Sequence, residues 1–371
     1  MRIWMSGGGT AGHIYPALAV AEALQQDGHN DITYFGTPTG PERRLASEAG
    51  LPFAPLAAQG YDRANPLSLL RALAVAALST TRAIVRIVAD KPDVIVAFGG
   101  YVCVPVGLAA ALTRTPLVLH EQNSVPGLAN RILARYAAVL ALTYPGASEK
   151  LVGVSKVVVT GNPVRPAVLL ADRAQGRKSL GIPDDSLVLL IFGGSRGARR
   201  INEVAVEVAE QLLHNPDVHI VHITGKGAEH DSVVSALRAR GVNSQRYKAL
   251  DYIDDMGSAL AAADLVVSRA GATSIAEITA LGRPAVLVPY PYATEDHQTL
   301  NASAVADAGG AILIPDKELN PENFVETVTS ILFDPVKRAN MSAASRSFAN
   351  PQATRLLADT VIAAASKRKH P

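Results

Sequence analysis

At 371 residues the chain is long enough for two hydrophobic cores, and 48% hydrophobic against 18% charged residues is the composition of a folded globular protein, not a disordered one. Lysine and arginine outnumber aspartate and glutamate by only 35 to 33, which excludes a broadly basic surface for nucleic acid. Cys103 is the only cysteine, which excludes an intrachain disulfide and a thiolate metal cluster and suits a reducing, cytoplasmic compartment.

From the N-terminus, the apolar run 2–6 predicts a strand that breaks at once into Gly7-Gly8-Gly9-Thr10-Ala11-Gly12-His13, so it does not make the apolar core of a signal peptide. A helical pattern follows at 16–26, and further strands are predicted at 32–35, 94–98, 117–120 and 139–142. The segment 66–88 sets Leu67, Leu69, Leu70, Leu73, Val75 and Leu78 beside Arg71, Arg82 and Arg86. Two readings are open there: an apolar patch edged by basic residues that docks on anionic lipid, or an ordinary amphipathic core helix. The stretch 94–113 holds no charge, but Gly99, Gly100 and Pro105 interrupt it. That predicts a buried strand, a glycine turn and a helix, not a membrane span.

The segment Thr160-Gly161-Asn162-Pro163-Val164-Arg165-Pro166 stops the patterns on both sides of it, so domains are predicted at 1–164 and 165–350. The second half repeats the alternation, with strands at 187–192, 218–223, 265–268, 285–289 and 312–314 and helices at 201–214, 233–240 and 274–280. A last helical segment, 352–366, follows a break at Asn350-Pro351 and either extends the second domain or crosses back onto the first. The basic end Lys367-Arg368-Lys369-His370 reads as a solvated tail. Val/Ile/Leu strands alternating with helices place the chain in the α/β class, with parallel sheets covered on both faces.

A second glycine loop, Gly193-Gly194-Ser195-Arg196-Gly197, follows its strand as the first does, so each half offers backbone amides and a helix start to an anion. Gly7, Gly9 and Gly12 match the dinucleotide fingerprint by letter, but Asp31 precedes the second strand instead of ending it. Neither loop runs into the Lys-Ser/Thr of a P-loop, so NAD and ATP are both disfavoured and another phosphate-bearing ligand is expected, unless the loops merely turn the chain. His13 stands beside the first loop as either a general base or a local hydrogen-bonding residue. Glu277, placed by the pattern one turn into its helix, either accepts from a ribose diol or complements the helix dipole. No Asp-x-Asp pair occurs to hold a divalent metal, so a leaving diphosphate falls to Arg165 and the amides of the Gly193–Gly197 loop.

Eight segments occur in the order of one known family. They are Gly-Gly-Gly-Thr-Ala-Gly-His at 7–13, Gly-Gly-Tyr-Val at 99–102, His-Glu-Gln-Asn at 120–123, Gly-Asn-Pro-Val-Arg at 161–165, Gly-Gly-Ser-Arg-Gly-Ala at 193–198, Asp-Tyr-Ile-Asp-Asp-Met at 251–256, Ser-Arg-Ala-Gly-Ala at 268–272 and Asp-His-Gln at 296–298. In this the whole chain resembles the MurG family of N-acetylglucosaminyltransferases, metal-independent members of glycosyltransferase family 28 with the GT-B fold of two Rossmann-like domains facing a cleft. The resemblance implies inverting transfer of N-acetylglucosamine from UDP-GlcNAc to the 4-hydroxyl of N-acetylmuramic acid in lipid I, giving lipid II, with no cofactor and no metal. It implies that Glu277 holds the ribose and Ile253 the uracil, with Ala272, Thr273 and Ser274 along the nucleotide. Ser195 and Arg165 would lie near the diphosphate, Gln298 and Asn123 near the sugar, and Thr10, Ala11 and Gly12 would complete the donor pocket. His13 becomes the leading base, while Gly7, Gly8, Gly9, Gly99, Gly100 and Tyr101 would take the acceptor's diphosphate.

The same resemblance implies a cytoplasmic enzyme, peripheral on the inner face of the cell membrane, with cell-wall synthesis and division proteins as partners. Arg196 stands where the family commonly has glutamine, and Cys103-Val104 where it has Ser-Gly. The competing readings are a UDP-GlcNAc 2-epimerase, which shares the architecture and the donor, and a non-catalytic nucleotide-sugar-binding subunit.

Overall fold

The computed structural model describes residues 1–60, 65–194 and 197–369; Ser195, Arg196, the last two residues, and the side chains of Pro66 and 367–369 lie outside the described residues. The chain divides into two compact units, Met1–Arg165 with Gln352–Pro371, and Pro166–Pro351.

The first unit is built on seven parallel strands: β1 (Arg2–Ser6), β2 (Asp31–Gly36), β3 (Phe53–Pro55), β4 (Val94–Ala97), β5 (Leu117–Glu121), β6 (Val139–Leu142) and β7 (Val157–Val159). Their order across the sheet is β3-β2-β1-β4-β5-β6-β7, with Ile3 in register against Ile32 on one side and Val94 on the other. Every residue of β4, β5 and β6 is buried, as a sheet covered on both faces requires. The helices that follow the first four strands include α1 (Ala11–Gln26), α2 (Pro41–Glu48), α3 (Pro66–Asp90) and α4 (Cys103–Leu112). One face of the sheet packs Trp4, Phe35 and Ile95 with Ala83 and Ile87 of α3 and Val106 of α4, Trp4 and Phe35 meeting at 4.3 Å between ring centroids. The other face packs Ile3, Met5 and Val20 with Leu357, Ala358 and Val361 of the C-terminal helix Ala353–Lys369.

That last helix therefore crosses back onto the first unit. Its Thr354 hydroxyl donates to the Val164 carbonyl at 3.0 Å and accepts the Val164 amide at 3.2 Å, and Arg355 pairs with Asp27 at 2.6 Å.

The helix α3 is long and apolar enough over Leu67–Asp90 to cross a membrane by length and composition. One side of it belongs to the core, where Ser79 donates to the Ala57 carbonyl and Ala83 and Ile87 are buried. The opposite side leaves Leu67, Leu70, Leu78, Val85 and Val88 exposed, and Leu69 and Leu73 near the start of the helix are exposed too.

The second unit carries six parallel strands, β8 (Leu187–Phe192), β9 (Val218–Ile223), β10 (Tyr247–Leu250), β11 (Leu265–Ser268), β12 (Ala285–Leu287) and β13 (Ala311–Leu313), in the order β10-β9-β8-β11-β12-β13. An ionic staple closes its base. Asp264 accepts from Arg173 at 2.6 Å, from Arg177 at 2.8 Å and from the Val188 amide at 2.8 Å. The Arg177 side chain, 1% exposed, also donates to the carbonyls of Ser186, Pro183, Asp184 and Ala262.

Three strands lacked a sequence signal: β3, β7 and β10. All three are edges, only three or four residues long and partly exposed, so their runs are too short to stand out; the run Val157-Val158-Val159 of β7 was missed by sequence reasoning. The predicted helix 201–214 is interrupted at Val208, giving Arg199–Glu207 and Ala209–Leu212.

Candidate active site

In both sheets the strand order reverses at one place, between β1 and β4 in the first unit and between β8 and β11 in the second. Open α/β sheets bind ligands beyond the carboxyl ends of the strands at such a switch point. The glycine loops follow β1, β4 and β8, so each unit presents its loops there.

In the first unit Gly7–Gly9 leads directly into α1, whose first turn carries His13. The His13 Nδ1 lies 3.0 Å from the Gly8 carbonyl and 3.4 Å from the Thr10 hydroxyl. A carbonyl only accepts, so Nδ1 carries the proton and Nε2 is the proton-accepting nitrogen of the neutral ring. Gly99, at φ +105°, lies flat against this ring, and a Cβ there would fall 2.9 Å from His13 Nε2. Gly100, at φ +85°, abuts the Gly8 carbonyl, where a Cβ would stand at 2.4 Å. Only glycine satisfies both the backbone and the space at these two positions.

The loop is held from within the unit. The Tyr34 hydroxyl donates to the Gly7 carbonyl at 2.9 Å, the Gly8 amide to the Gly99 carbonyl at 3.3 Å, and the Gly9 amide to the Glu42 carboxylate at 3.4 Å. Two amides expected to cradle a diphosphate, those of Gly8 and Gly9, are thus already engaged. The Cys103 thiol donates to the carbonyls of Ser6 and Gly99, and burial pushes it up to about 11, away from reactivity. Tyr101 is exposed.

Beyond β5, His120 is fully buried, with Nε2 at 3.0 Å from the Gly161 carbonyl and Nδ1 at 3.0 Å from the Gln122 amide. Burial holds its imidazole down at about 4, so this histidine is a neutral structural link and not a second base. Glu121 organises the following loop. One carboxylate oxygen accepts the Asn123 backbone amide at 3.0 Å and its side chain at 3.3 Å; the other accepts from Gly127 and Asn130, both at 2.9 Å. Asn123 is therefore presented by a buried carboxylate. Arg165 belongs to this unit too, its guanidinium 4.0 Å above the Tyr15 ring of α1.

In the second unit Gly194 and Gly197 take φ +86° and +73°, and a Cβ on Gly197 would fall 2.4 Å from the Thr224 carbonyl. That carbonyl is fixed by Asn202, whose amide donates to it at 2.9 Å while its oxygen lies 2.9 Å from His222 Nε2. His222 Nδ1 in turn meets the Tyr247 hydroxyl at 2.8 Å. Burial lowers His222 to about 3 and raises Tyr247, so both stay neutral and the chain from Tyr247 to Thr224 is an uncharged brace behind the loop. Ser195 and Arg196, inside that loop, fall outside the described residues.

The helix Ala272–Ala280 starts at β11's loop with Ala272, Thr273 and Ser274 in its first turn. Glu277 is its sixth residue and 6% exposed. Glu277 thus stands one turn into the helix, as expected, and a carboxylate buried beyond the first turn is not a surface complement to the dipole. Ile253 is half-buried between β10 and the helix Met256–Ala262, beside Tyr252, whose ring carries Lys226 at 4.3 Å. Gln298 opens the helix His297–Asp307 after left-handed Glu295 and Asp296, and its oxygen accepts the Tyr290 amide at 3.0 Å. Asn301 of that helix donates to the Ala270 carbonyl at 3.3 Å, bringing Gln298's helix to the Ala272 loop.

Glu42, Asn202 and Tyr34 were missed by sequence reasoning. Glu42 reads as a routine first-turn acid, Asn202 as a polar position in an amphipathic helix, and Tyr34 as one residue of a buried strand; no spacing marks any of them.

Two doubly wound parallel units, each with a glycine loop at its switch point, are the architecture of the GT-B fold. The N-terminal domain of glycosyltransferase family 28 matches residues 3–141, and its C-terminal domain matches residues 188–357. The UDP-N-acetylglucosamine–N-acetylmuramyl-(pentapeptide) pyrophosphoryl-undecaprenol N-acetylglucosamine transferase of Desulforudis audaxviator is 41% identical over 373 residues, covering 99% of this chain and 99% of its own. The enzyme of the same name from Desulfitobacterium hafniense is 42% identical over 360 residues, 95% of this chain and 96% of its own. The crystal structure of Acinetobacter baumannii MurG matches at TM-score 0.75 and 31% identity, over 97% of this chain and 99% of that one. The chain belongs to glycosyltransferase family 28 and, within it, to the MurG N-acetylglucosaminyltransferases.

Proposed function

We propose that this chain transfers N-acetylglucosamine from UDP-GlcNAc to the 4-hydroxyl of N-acetylmuramic acid in lipid I, with inversion, to give lipid II. The observation that carries this reading is 41% identity along 99% of the chain to a transferase so named. His13 supplies the chemistry: its Nε2 takes the acceptor hydroxyl's proton as that oxygen attacks the sugar and UDP departs. Asn123, Thr10, Ala11, Gly12 and Arg165 are the first unit's donor contacts; Ser195, Ile253, Ala272, Thr273, Ser274, Glu277 and Gln298 are those of the second. For the acceptor's diphosphate, Gly7, Gly99, Gly100 and Tyr101 remain the candidates, with Gly8 and Gly9 serving chiefly to fix the loop.

The test is incubation of the full chain with labelled UDP-GlcNAc and a short-chain lipid I analogue in EDTA. Labelled disaccharide product is expected. Release of epimerised UDP-sugar without transfer would instead establish the 2-epimerase reading, and donor binding without turnover the binding-subunit reading. In the same assay Glu277→Ala should raise KM for UDP-GlcNAc by about 10- to 100-fold, the loss of charged hydrogen bonds worth roughly 1.5–3 kcal/mol, with kcat little changed. An unaltered donor KM removes Glu277 from the ribose.

We further propose that the chain works on the inner membrane surface, beside cell-wall synthesis and division proteins, with the outer side of α3 docking on lipid. Leu67, Leu70 and Leu73 are 73, 64 and 58% exposed, near exposed Arg71 and Arg82. Leu70→Glu/Leu73→Glu should weaken sedimentation with phosphatidylglycerol vesicles by at least about tenfold while turnover of a short-chain analogue persists. Equal vesicle binding by the variant would assign α3 to packing only.

A further inference from the structure

Glu42 is fully buried at the first turn of α2, and the mechanism above makes no use of it. Its Oε1 accepts the Thr37 amide at 2.8 Å and the Thr37 hydroxyl at 2.6 Å, and its Oε2 accepts the Gly9 amide at 3.4 Å. Three glycines wall the side chain, Gly8 from the first loop and Gly36 and Gly40 from the β2–α2 connection: a Cβ on Gly8, Gly36 or Gly40 would fall 2.7, 2.4 or 2.3 Å from it. None of the three has a positive φ, so backbone conformation does not call for glycine at these positions. The space the carboxylate fills does. A buried carboxylate costs desolvation that a well-packed apolar side chain would avoid, so stability is a poor reason for this socket.

The socket's roof is the loop that holds the base. Gly8, pressed on Glu42, gives its carbonyl to His13 Nδ1 at 3.0 Å; Gly9, hydrogen-bonded to Glu42, is the next residue along. We propose that Glu42 is a positioning residue for His13: it holds Gly8 and Gly9 so that the Gly8 carbonyl fixes the orientation and tautomer of the ring, leaving Nε2 as the proton acceptor. The same carboxylate lies near Tyr34 and Cys103, both raised chiefly by burial, with Glu42 the smallest of the influences on each. The proposal rests on His13 acting as the base in the reading above.

The test is a double-mutant cycle on the full chain, with UDP-GlcNAc and the short-chain acceptor, joined to the ring 15N shifts of His13. Glu42→Ala should lower kcat by about 10- to 100-fold, the range typical when a partner that orients an active-site group is removed, with KM for UDP-GlcNAc within about twofold. Glu42→Gln, which still accepts from Thr37, should fall between, and it carries the comparison if the alanine variant does not fold. In a His13→Ala background the Glu42 substitution should cost less than about twofold, because its effect runs through the missing ring. The 15N shifts should report the Nδ1–H tautomer in the wild type and a mixture in the Glu42 variants. Equal losses in both backgrounds, or a tautomer untouched by the substitutions, overturns the proposal. A His13→Ala enzyme as active as the wild type would instead sink the base assignment, with the 15N shifts still deciding whether Glu42 orients the ring.

Discussion

His13→Ala is expected to lower kcat by between about a hundredfold and ten-thousandfold, the contribution of a positioned general base, while KM for UDP-GlcNAc stays within a few-fold. The asymmetry follows from geometry. The Nδ1–H is committed to the Gly8 carbonyl at 3.0 Å, so Nε2 is the ring atom able to receive a proton, and an alanine offers none. Donor contacts of the second unit are untouched by the change, which therefore removes an interaction made in the transition state and not uniform binding. His13→Gln separates chemistry from architecture: its amide can still donate toward Gly8 but cannot take up a proton at neutral pH. Turnover restored by glutamine would make His13 a structural residue of the loop.

Asp264→Ala should destabilise the second unit by about 3–5 kcal/mol, the usual consequence of stranding a buried partner charge. Arg177 would keep its carbonyl partners but lose the carboxylate at 2.8 Å, and the Val188 amide at the start of β8 would lose its acceptor at 2.8 Å. Against a total stability of about 5–15 kcal/mol, a loss of that size is a large fraction. It should appear as a marked drop in the urea midpoint of the second unit's transition. Arg173→Ala, whose side chain is 40% exposed, should cost far less. An unmoved midpoint for Asp264→Ala would mean that the staple contributes nothing net.

The loops and central strands were legible because each has a local cause. Val94–Ala97 and Leu187–Phe192 are apolar runs because their sheets are covered on both faces, and the glycines beside them interrupt any pattern. The edge strands β3, β7 and β10 were not legible, being only three or four residues long and partly exposed. His13 and Glu277 stood out by residue type and place in a motif, while Glu42 and Asn202 did not. Their partners, Gly9 and Thr37 for one, Thr224 and His222 for the other, lie on different segments, and no local pattern joins them.

By itself the sequence determined the α/β class, the two glycine loops and the family, and it proposed candidate site residues, because composition, periodicity and ordered motifs are properties of neighbours along the chain. Tertiary structure alone decided that the C-terminal helix returns to the first unit, that α3 keeps one apolar side uncovered, which His13 nitrogen bears the proton, and that a carboxylate lies beneath the first loop. All but the His13 contact, which joins residues of one loop, depend on groups far apart in sequence, and each exists only once the sheets have formed.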